Sequence, residues 1–302
     1  MAKFKYYLSS MRLRTLPLSL AGVLLGSFLA LADYRVPAPV VLLVCLTTVC
    51  LQILSNLSNE LGDVLSGTDN ADREGPEYGL NSGALTVVQM KRCIALFVVL
   101  CCVSGAAMLW VSFGSLLKLE SLMLLLLGAA AIAAAMRYTL GRNPYGYRAR
   151  GDFYVFIFFG LVSVLGSYFV CAHTLHSWLL LLPAAAIGFF SVGVLNVNNI
   201  RDIKTDAPNR VTVAMKLGVH RARIYQTVLI CTGWACLVGY ALLRVPDWRH
   251  WLFVLTLPLY ALHLRGVWTH EGRELDKYLP MLVMSTFILS LLMGAGFTAY
   301  LW

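Results

Sequence analysis

The sequence Asn56-Leu57-Ser58-Asn59-Glu60-Leu61-Gly62-Asp63 follows a run from Val40 to Leu54 that contains no charged residue. Its polar and acidic side chains recur at i, i+3, i+4 and i+7: Asn56, Asn59, Glu60 and Asp63. On a helix these positions share one face. Acids at the end of a membrane-length apolar segment are energetically expensive and usually functional. The stretch therefore predicts a membrane-spanning helix that ends in an acidic site.

The whole chain has the composition of a membrane protein. Of its 302 residues, 59% are hydrophobic and 13% are charged, and the mean hydropathy is +0.73. The first apolar run, from Leu16 to Ala32, begins after a basic N-terminal segment, as a signal peptide would. However, the run is longer than a signal-peptide core and lacks a clear small-residue cleavage site. We therefore predict a polytopic helical protein whose first span is retained.

We predict nine transmembrane helices of roughly 20 residues each, the length that crosses a hydrocarbon core of about 30 Å. They are expected near residues 15–33, 38–58, 92–113, 119–140, 152–172, 178–200, 222–243, 248–265 and 279–301. No low-complexity linker or soluble segment interrupts them. The predicted fold is thus all-α, with one transmembrane domain over residues 1–302.

The distribution of basic residues predicts the orientation of these helices in the lipid bilayer. The N-terminus and the long polar segments near 59–91, 141–151, 201–221 and 266–278, counted with their flanking residues, carry all but four of the 24 Lys and Arg residues. The exceptions are Arg35, Lys118, Arg244 and Arg249. By the positive-inside rule the N-terminus and the long segments are cytoplasmic, and Trp302 faces outward. The net charge of +9 therefore reflects membrane topology, not nucleic-acid binding.

A second polar stretch follows the sixth predicted span and reads Asn196-Val197-Asn198-Asn199-Ile200-Arg201-Asp202-Ile203-Lys204-Thr205-Asp206. Both acidic stretches follow even-numbered spans, so both are expected at the cytoplasmic face. Mg²⁺ is usually held by a few carboxylates, with water and substrate phosphate in its other positions. Two clusters at one membrane face therefore predict Mg²⁺ ions that bridge to a diphosphate. The acids Asp72, Glu74 and Glu77 are better explained as a solvated loop.

The loop between the fourth and fifth predicted spans is basic and aromatic, from Arg137 to Arg148. Arg142 and Arg148 are candidates for contacts with diphosphate oxygens, and Tyr138 for the wall of an aromatic pocket. Positive-inside charge with interfacial tyrosines explains these residues equally well, so both interpretations stay open. The eight cysteines form no C-x-x-C pair and the six histidines no ligand spacing, so neither a zinc site nor a disulfide framework is supported.

The chain resembles the UbiA-type intramembrane aromatic prenyltransferases, and within them the branch that acts on 1,4-dihydroxy-2-naphthoate in menaquinone synthesis. Four passages carry the resemblance and together cover nearly the full length. They are Arg12 to Pro17, Gln52 to Asp63 with Gly67 and Asp69, Tyr138 to Asp152, and Asn198 to Asp202 with Asp206.

This resemblance implies a nine-helix bundle around a central cavity, with Mg²⁺ and diphosphate at its cytoplasmic mouth, in a bacterial cytoplasmic membrane. Metal-assisted loss of diphosphate from a polyprenyl diphosphate would create an allylic cation, which the electron-rich naphthoate ring attacks. In this branch the acceptor loses its carboxylate as CO₂, giving demethylmenaquinone. The sequence specifies neither the oligomeric state nor the prenyl chain length.

The resemblance also implies roles for individual residues. Asp63 and Asp202 correspond to the catalytic carboxylates. The implied metal ligands are Asn59, Glu60, Asp63, Asp69, Asp202 and Asp206. The implied substrate contacts are Asn56, Asn59, Arg14, Tyr138, Arg142, Asn198, Asn199 and Arg210.

The chain departs from the family pattern at three places. Glu60 and Leu61 stand where an Asp and an aromatic residue are usual, Asn143 stands where a lysine is common, and the segment from Ala207 to Thr212 is shorter. Glu60 keeps the charge but adds a methylene group, which changes the geometry available to a metal.

Three alternative functions make different demands on the sequence. A different aromatic acceptor, such as 4-hydroxybenzoate, would require the same diphosphate site. An ion-coupled transporter more often places its acids near mid-membrane in broken helices, whereas these acids lie at one face. A CDP-alcohol phosphotransferase would carry a dense Asp-Gly-Ala-Arg pattern, which the sequence lacks.

Overall fold

A computed structural model describes residues 2–67, 78–204, 210–244 and 247–301 of the chain. Within these ranges, nine helical segments are long and apolar enough to cross a membrane, which confirms the predicted all-α, nine-span architecture. The segments are Phe4–Asp33, Ala38–Leu65, Val87–Phe113, Leu119–Arg137, Gly151–Ala172, Trp178–Arg201, Val219–Leu243, Trp248–Thr269 and Gly272–Thr298.

The described residues contain twelve α-helices. They are α1 Ala2–Met11, α2 Leu16–Asp33, α3 Ala38–Leu65, α4 Val87–Phe113, α5 Leu119–Arg137, α6 Gly151–Val155, α7 Ser163–Ala172, α8 Leu181–Arg201, α9 Val213–Leu217, α10 Val219–Leu243, α11 Leu257–Thr269 and α12 Tyr278–Thr298. A π-helical segment, Phe156–Val162, joins α6 to α7. Short 3₁₀ segments precede α2, α8, α11 and α12 at Leu13–Thr15, Trp178–Leu180, Trp248–Thr256 and Gly272–Lys277.

Helix α3 extends further at its C-terminal end, and helix α4 further at its N-terminal end, than hydropathy predicted. Helix α3 continues to Leu65, whereas the apolar residues end near residue 58. Helix α4 begins at Val87, where Thr86 and Gln89 form a reciprocal capping box. Hydropathy locates the membrane boundary, but capping and side-chain hydrogen bonds decide where a helix ends. The first acidic stretch is therefore helical.

Small residues allow the spans to approach each other closely. A Cβ atom added at Gly22 of α2 would overlap with Ser163 of α7, and one added at Gly26 would overlap with Ser167 of α7. Gly160 of the π-helical segment and Gly188 of α8 make a second approach of this kind. Such spacing lets helices associate in lipid, where burial of apolar surface alone provides little attraction between them.

Asp33 anchors one end of the bundle through a group of contacts that we call the outer clamp, formed by Asp33, Tyr168, His176 and Arg244. Arg244 Nη2 donates a hydrogen bond to Asp33 Oδ1 at 2.7 Å, and Tyr168 Oη donates to Oδ2 at 3.0 Å. His176 Nε2 lies 3.7 Å from Asp33 Oδ2. Asp33 and Arg244 end odd-numbered spans, so the clamp lies opposite the two acidic stretches.

At the other end of the bundle, the loop after α5 is joined to the segment after α8. The Val211 amide donates to Tyr147 O at 3.1 Å, and the Ala149 amide donates to Val211 O at 2.8 Å. This backbone bridge fixes the positions of Tyr147 and Arg210, which lie on either side of it.

The residues after α5 also pack directly on α3. Thr139 Oγ1 donates a hydrogen bond to Ser58 O at 3.0 Å. A Cβ atom at Gly62 would lie only 2.5 Å from Thr139 Cβ. The absence of a side chain at Gly62 therefore permits this contact.

We expect Gly62→Ala to lower the free energy of unfolding by about 1–3 kcal/mol, because the new methyl group overlaps with both the side chain and the backbone of Thr139. Gly128→Ala in α5 is the matched control, since a Cβ there meets nothing within 4 Å. Thermal unfolding of the detergent-purified variants measures the difference. Equal melting temperatures for the two variants would contradict the close contact between Gly62 and Thr139.

Candidate active site

A cavity lies between the C-terminal ends of α3 and α8 and encloses about 1250 Å³ of empty space, part of it open to solvent. Its polar lining residues are Arg12, Arg14, Thr15, Gln52, Asn59, Asp63, Tyr78, Tyr138, Thr139, Ser191, Asn198, Arg201, Asp202 and Arg210. Its apolar lining residues are Leu18, Val155, Phe159, Val194, Leu195, Leu279, Pro280 and Val283. The two acidic stretches predicted to meet at one face therefore do line one cavity.

The α3 wall of the cavity carries Asn59 and Asp63. Asp63 is 6% exposed, and its Oδ1 accepts a hydrogen bond from Tyr147 Oη at 2.8 Å. Asn59 Oδ1 accepts a longer hydrogen bond from Thr139 Oγ1 at 3.4 Å. The loop after α5 thus supplies the partners that orient both side chains.

The α8 wall carries Asn198 and Asp202, and Arg201 lies between them. Arg201 Nε donates to Asp202 Oδ1 and Nη2 donates to Oδ2, each at 2.7 Å. Nη2 also donates to Asn198 Oδ1 at 3.0 Å. A guanidinium fork thus holds the Asp202 carboxylate in a fixed orientation.

Basic residues from the N-terminal segment line the cavity as well. Arg12 has a left-handed backbone conformation with φ 48°, and its guanidinium lies 4.1 Å from the ring centre of Tyr78. Its Nε and Nη2 atoms are buried and make no hydrogen bond within the described residues. Arg14 Nη2 donates to Tyr78 Oη at 3.0 Å. The cavity therefore has carboxylates from α3 and α8 and guanidinium groups from the N-terminal segment.

Tyr138 and Arg210 complete the lining near the backbone bridge. Arg210 Nη2 donates to Tyr138 Oη at 3.4 Å, and the Arg210 guanidinium lies 5.8 Å from the ring centre of Tyr147. Removal of water from the phenol raises the pKa of Tyr138, and the nearby Arg210 guanidinium offsets the rise only in part. The phenol therefore stays protonated at neutral pH.

Glu60, for which the family resemblance implies a role as a metal ligand, is not among the residues that line the cavity. Its side chain is fully buried, and Oε1 accepts a hydrogen bond from the Leu80 amide at 2.6 Å. Successive helical residues point about 100° apart, so Asn59 faces the cavity whereas Glu60 faces the loop that contains Leu80. The extra methylene group of Glu gives its carboxylate additional reach toward this loop.

Three predicted substrate contacts also lie away from the main cavity. Asn56 Nδ2 donates to Met11 O at 2.8 Å and to Thr15 Oγ1 at 3.0 Å, so it fastens the N-terminal segment to α3. Asn199 lines a smaller neighbouring pocket with Asp152. Arg142 is exposed in the loop after α5. Of the remaining predicted ligands, Asp69 and Asp206 lie outside the described residues.

Several residues without a predicted role contribute to the site: Arg12, Gln52, Tyr78 and Arg201 line the cavity, and Tyr147 binds Asp63. Arg201 is adjacent to Asp202 in the sequence, and that adjacency was the available signal for a carboxylate partner. Tyr147 reaches Asp63 only because the backbone bridge folds its loop back over α3. No spacing pattern in the sequence encodes that contact.

The oxygen donors of the cavity fit a hard divalent cation. Asp63 and Asp202 provide carboxylates, and Asn59 and Asn198 provide amide oxygens. In the part of the chain that the structure describes, no three His, Cys, Asp or Glu residues form a metal-binding group. A site with few protein ligands suits Mg²⁺, which commonly completes its coordination with water and substrate phosphate.

Comparison with known proteins identifies the family of the chain. The model of the UbiA prenyltransferase family matches residues 19–290. The chain belongs to the UbiA prenyltransferase family. Two curated relatives are both named 1,4-dihydroxy-2-naphthoate octaprenyltransferase. The Escherichia coli (strain K12) protein is 41% identical over 271 residues, which is 89% of this chain and 86% of that one. The Haemophilus influenzae protein is 35% identical over 300 residues, 97% of this chain and 96% of that one.

Solved structures of UbiA homologues share the fold. The apo homologue from Aeropyrum pernix K1 has a TM-score of 0.70 at 17% identity and covers 95% of this chain and 98% of its own. The homologue from Archaeoglobus fulgidus, bound to GPP and Mg²⁺, has a TM-score of 0.66 at 16% identity and covers 97% and 98%. This chain is thus a multi-pass member of the UbiA family with the helical arrangement of its structural relatives.

The buried hydrogen bond from the Leu80 amide to Glu60 gives this side chain a structural role that can be tested. We expect Glu60→Ala to lower the free energy of unfolding by about 1–3 kcal/mol, because the buried Leu80 amide loses its acceptor. Glu60→Gln keeps an oxygen acceptor and should lose less. Thermal unfolding measures stability, and Mn²⁺ binding followed by electron paramagnetic resonance measures metal affinity. A large loss of metal affinity in a stable Glu60→Gln protein would restore Glu60 as a ligand.

Proposed function

We propose that the protein transfers a polyprenyl group from a polyprenyl diphosphate to 1,4-dihydroxy-2-naphthoate, releasing diphosphate and CO₂ and forming demethylmenaquinone. The observation that carries this proposal is a single cavity with oxygen donors from α3 and α8, guanidinium groups from the N-terminal segment, and an apolar interior. The shared name of the two bacterial relatives supports the choice of acceptor.

The carboxylate side of the cavity suits the diphosphate and its metal. Asp63 and Asp202, with Asn59 and Asn198, would hold Mg²⁺, and Arg210 would donate hydrogen bonds to phosphate oxygens. When bound, Mg²⁺ supplies positive charge that stabilises the leaving diphosphate. Tyr147 and Arg201 keep the two carboxylates oriented before substrate arrives.

The basic side of the cavity suits the acceptor. Dihydroxynaphthoate carries a carboxylate on an aromatic ring, and Arg12 offers two buried donor atoms without hydrogen bonds inside the described residues. Arg14 and Tyr78 lie beside it. Leaving such donors unpaired is costly, so an anionic group that pairs with them would bind strongly.

The apolar lining suits an isoprenoid chain. Phe159 and Val155 come from the fifth span, Val194 and Leu195 from α8, and Val283 from α12. Phe159 lies in the π-helical segment, a local widening that often occurs at functional sites. The aromatic faces of Phe159 and Tyr138 would also stabilise positive charge at the allylic carbon.

The orientation that we propose places the cavity mouth and the N-terminus in the cytoplasm of a bacterial cell, with the outer clamp at the opposite face. The distribution of Lys and Arg supports this orientation. A C-terminal alkaline phosphatase fusion should therefore be active in intact cells, since that enzyme matures only outside the cytoplasm. An inactive phosphatase fusion, together with fluorescence from a cytoplasmic reporter fused at the same position, would contradict the proposed orientation.

Purified protein with Mg²⁺, a polyprenyl diphosphate and an equimolar mixture of dihydroxynaphthoate and 4-hydroxybenzoate should yield prenylated naphthoquinone. Mass spectrometry of the products identifies the acceptor. Exclusive prenylation of 4-hydroxybenzoate would move the protein to another branch of the family. Transport of ions into liposomes without any covalent product would favour a transporter.

Asp63→Asn and Asp202→Asn should each reduce turnover at least 100-fold while the protein remains folded, because each removes a charge from the diphosphate wall. Glu120→Gln, an exposed acid at the opposite end of the bundle, is the control for loss of one negative charge. Turnover close to the unsubstituted level in either Asp variant would refute the role of these carboxylates.

A further inference from the structure

Asp276 lies outside the cavity but is joined to it through one buried side chain. It belongs to the 3₁₀ segment Gly272–Lys277 that precedes α12, and it is not among the cavity-lining residues. Its Oδ1 accepts a hydrogen bond from Arg201 Nη1 at 2.5 Å. The Asp276 side chain is 32% exposed and that of Arg201 only 2%.

Arg201 therefore contacts two carboxylates at once. Nε and Nη2 bind both oxygens of Asp202, while Nη1 binds Asp276. Arginine stays protonated in proteins. With formal charges of +1 for Arg201 and −1 for each Asp, the three side chains carry a net charge of −1.

The charge balance matters because Asp202 faces the proposed metal site. A guanidinium paired with Asp202 alone would cancel the charge of that carboxylate and repel an approaching divalent cation. Asn198 Nδ2 also donates to Asp202 Oδ2, at 3.4 Å, but a carboxylate has about four lone-pair sites, and Asp202 lines the cavity. The second carboxylate restores the negative charge that makes a metal contact favourable.

We propose that Asp276 is a positioning residue for divalent-cation binding: by holding and neutralising Arg201 from outside the cavity, it keeps Asp202 electrostatically available to the metal. This inference rests on the proposed metal site. It differs from a purely structural role, in which Asp276 would only fasten the segment before α12 to the end of α8. A structural tether would change thermal stability but leave metal affinity unaltered.

The test measures binding of Mn²⁺, a spectroscopic substitute for Mg²⁺, to the full chain in lipid nanodiscs. Free Mn²⁺ is quantified by electron paramagnetic resonance, and Mg²⁺ is added as competitor. Asp276→Asn should raise the Mn²⁺ dissociation constant roughly tenfold, because Arg201 would then pair with Asp202 alone and cancel the charge of that carboxylate. Asp276→Glu, which keeps the charge, should bind like the unsubstituted protein.

Glu274→Gln is the matched control. It removes one negative charge from the same 3₁₀ segment, but Glu274 is exposed and is not among the partners of Arg201. Its dissociation constant should stay within twofold of the unsubstituted value. An equal weakening by Glu274→Gln and Asp276→Asn would attribute the effect to general surface charge and overturn the proposal.

A double substitution isolates the pathway through Arg201. If Asp276 acts by balancing the Arg201 charge, Asp276→Asn should change the Mn²⁺ dissociation constant much less in an Arg201→Gln background than in the unsubstituted protein. Should Asp276→Asn fail to fold, Asp276→Ser, which also removes the charge, takes its place in both backgrounds. Equal effects in the two backgrounds would overturn the proposal.

The same titration separates this inference from the proposed function. Asp63→Asn should weaken Mn²⁺ binding if the cavity holds the metal. If Asp63→Asn weakens binding and Asp276→Asn does not, the role of Asp276 fails and the metal site stands. If the unsubstituted chain binds no Mn²⁺, both proposals fail.

Discussion

Two nearly buried carboxylates, Asp63 and Asp202, impose the main constraint on the half of this protein that contains the cavity. A charge removed from water must find partners of suitable geometry. Neither helix supplies all of them. Asp63 takes the Tyr147 hydroxyl from the loop after α5, and Asp202 takes a guanidinium that is also bound by the segment before α12. The need to satisfy these charges therefore constrains how two connecting segments pack over the helix ends.

The sequence was most informative where the membrane leaves the fewest alternatives. A backbone in lipid must satisfy its own hydrogen bonds, so length and hydropathy predicted nine helices, and all nine are present within the described ranges. The same reasoning placed Asn59, Asp63, Asn198 and Asp202 at one face, since even-numbered spans end on the same side. These predictions depend on topology alone.

Side-chain direction at the edges of α3 depends on packing that the sequence does not specify. Asn56 and Glu60 lie on the same side of α3 as Asp63, but a helical face covers a wide arc, and its edge contacts other segments. The N-terminal segment occupies the position of Asn56 and the loop at Leu80 that of Glu60. Which segment covers which edge depends on packing between residues far apart in sequence. Arg12 was missed for a similar reason, because a left-handed backbone conformation at a non-glycine residue has no reliable sequence signal.

The outer clamp also bears on the ion permeability of the membrane, because the cavity is a gap in an electrically insulating layer. The hydrocarbon layer, about 30 Å thick, keeps ions and protons apart, and a water-accessible cavity on one side makes that layer thinner. Near the far end, Asp33 and Arg244 neutralise each other, and Tyr168 occupies a remaining carboxylate oxygen. The clamp thus offers a passing ion no unpaired charge while holding α2, α7 and α10 together. Loss of these clamp contacts would therefore be expected to increase ion leakage across the membrane before it affects prenyl transfer.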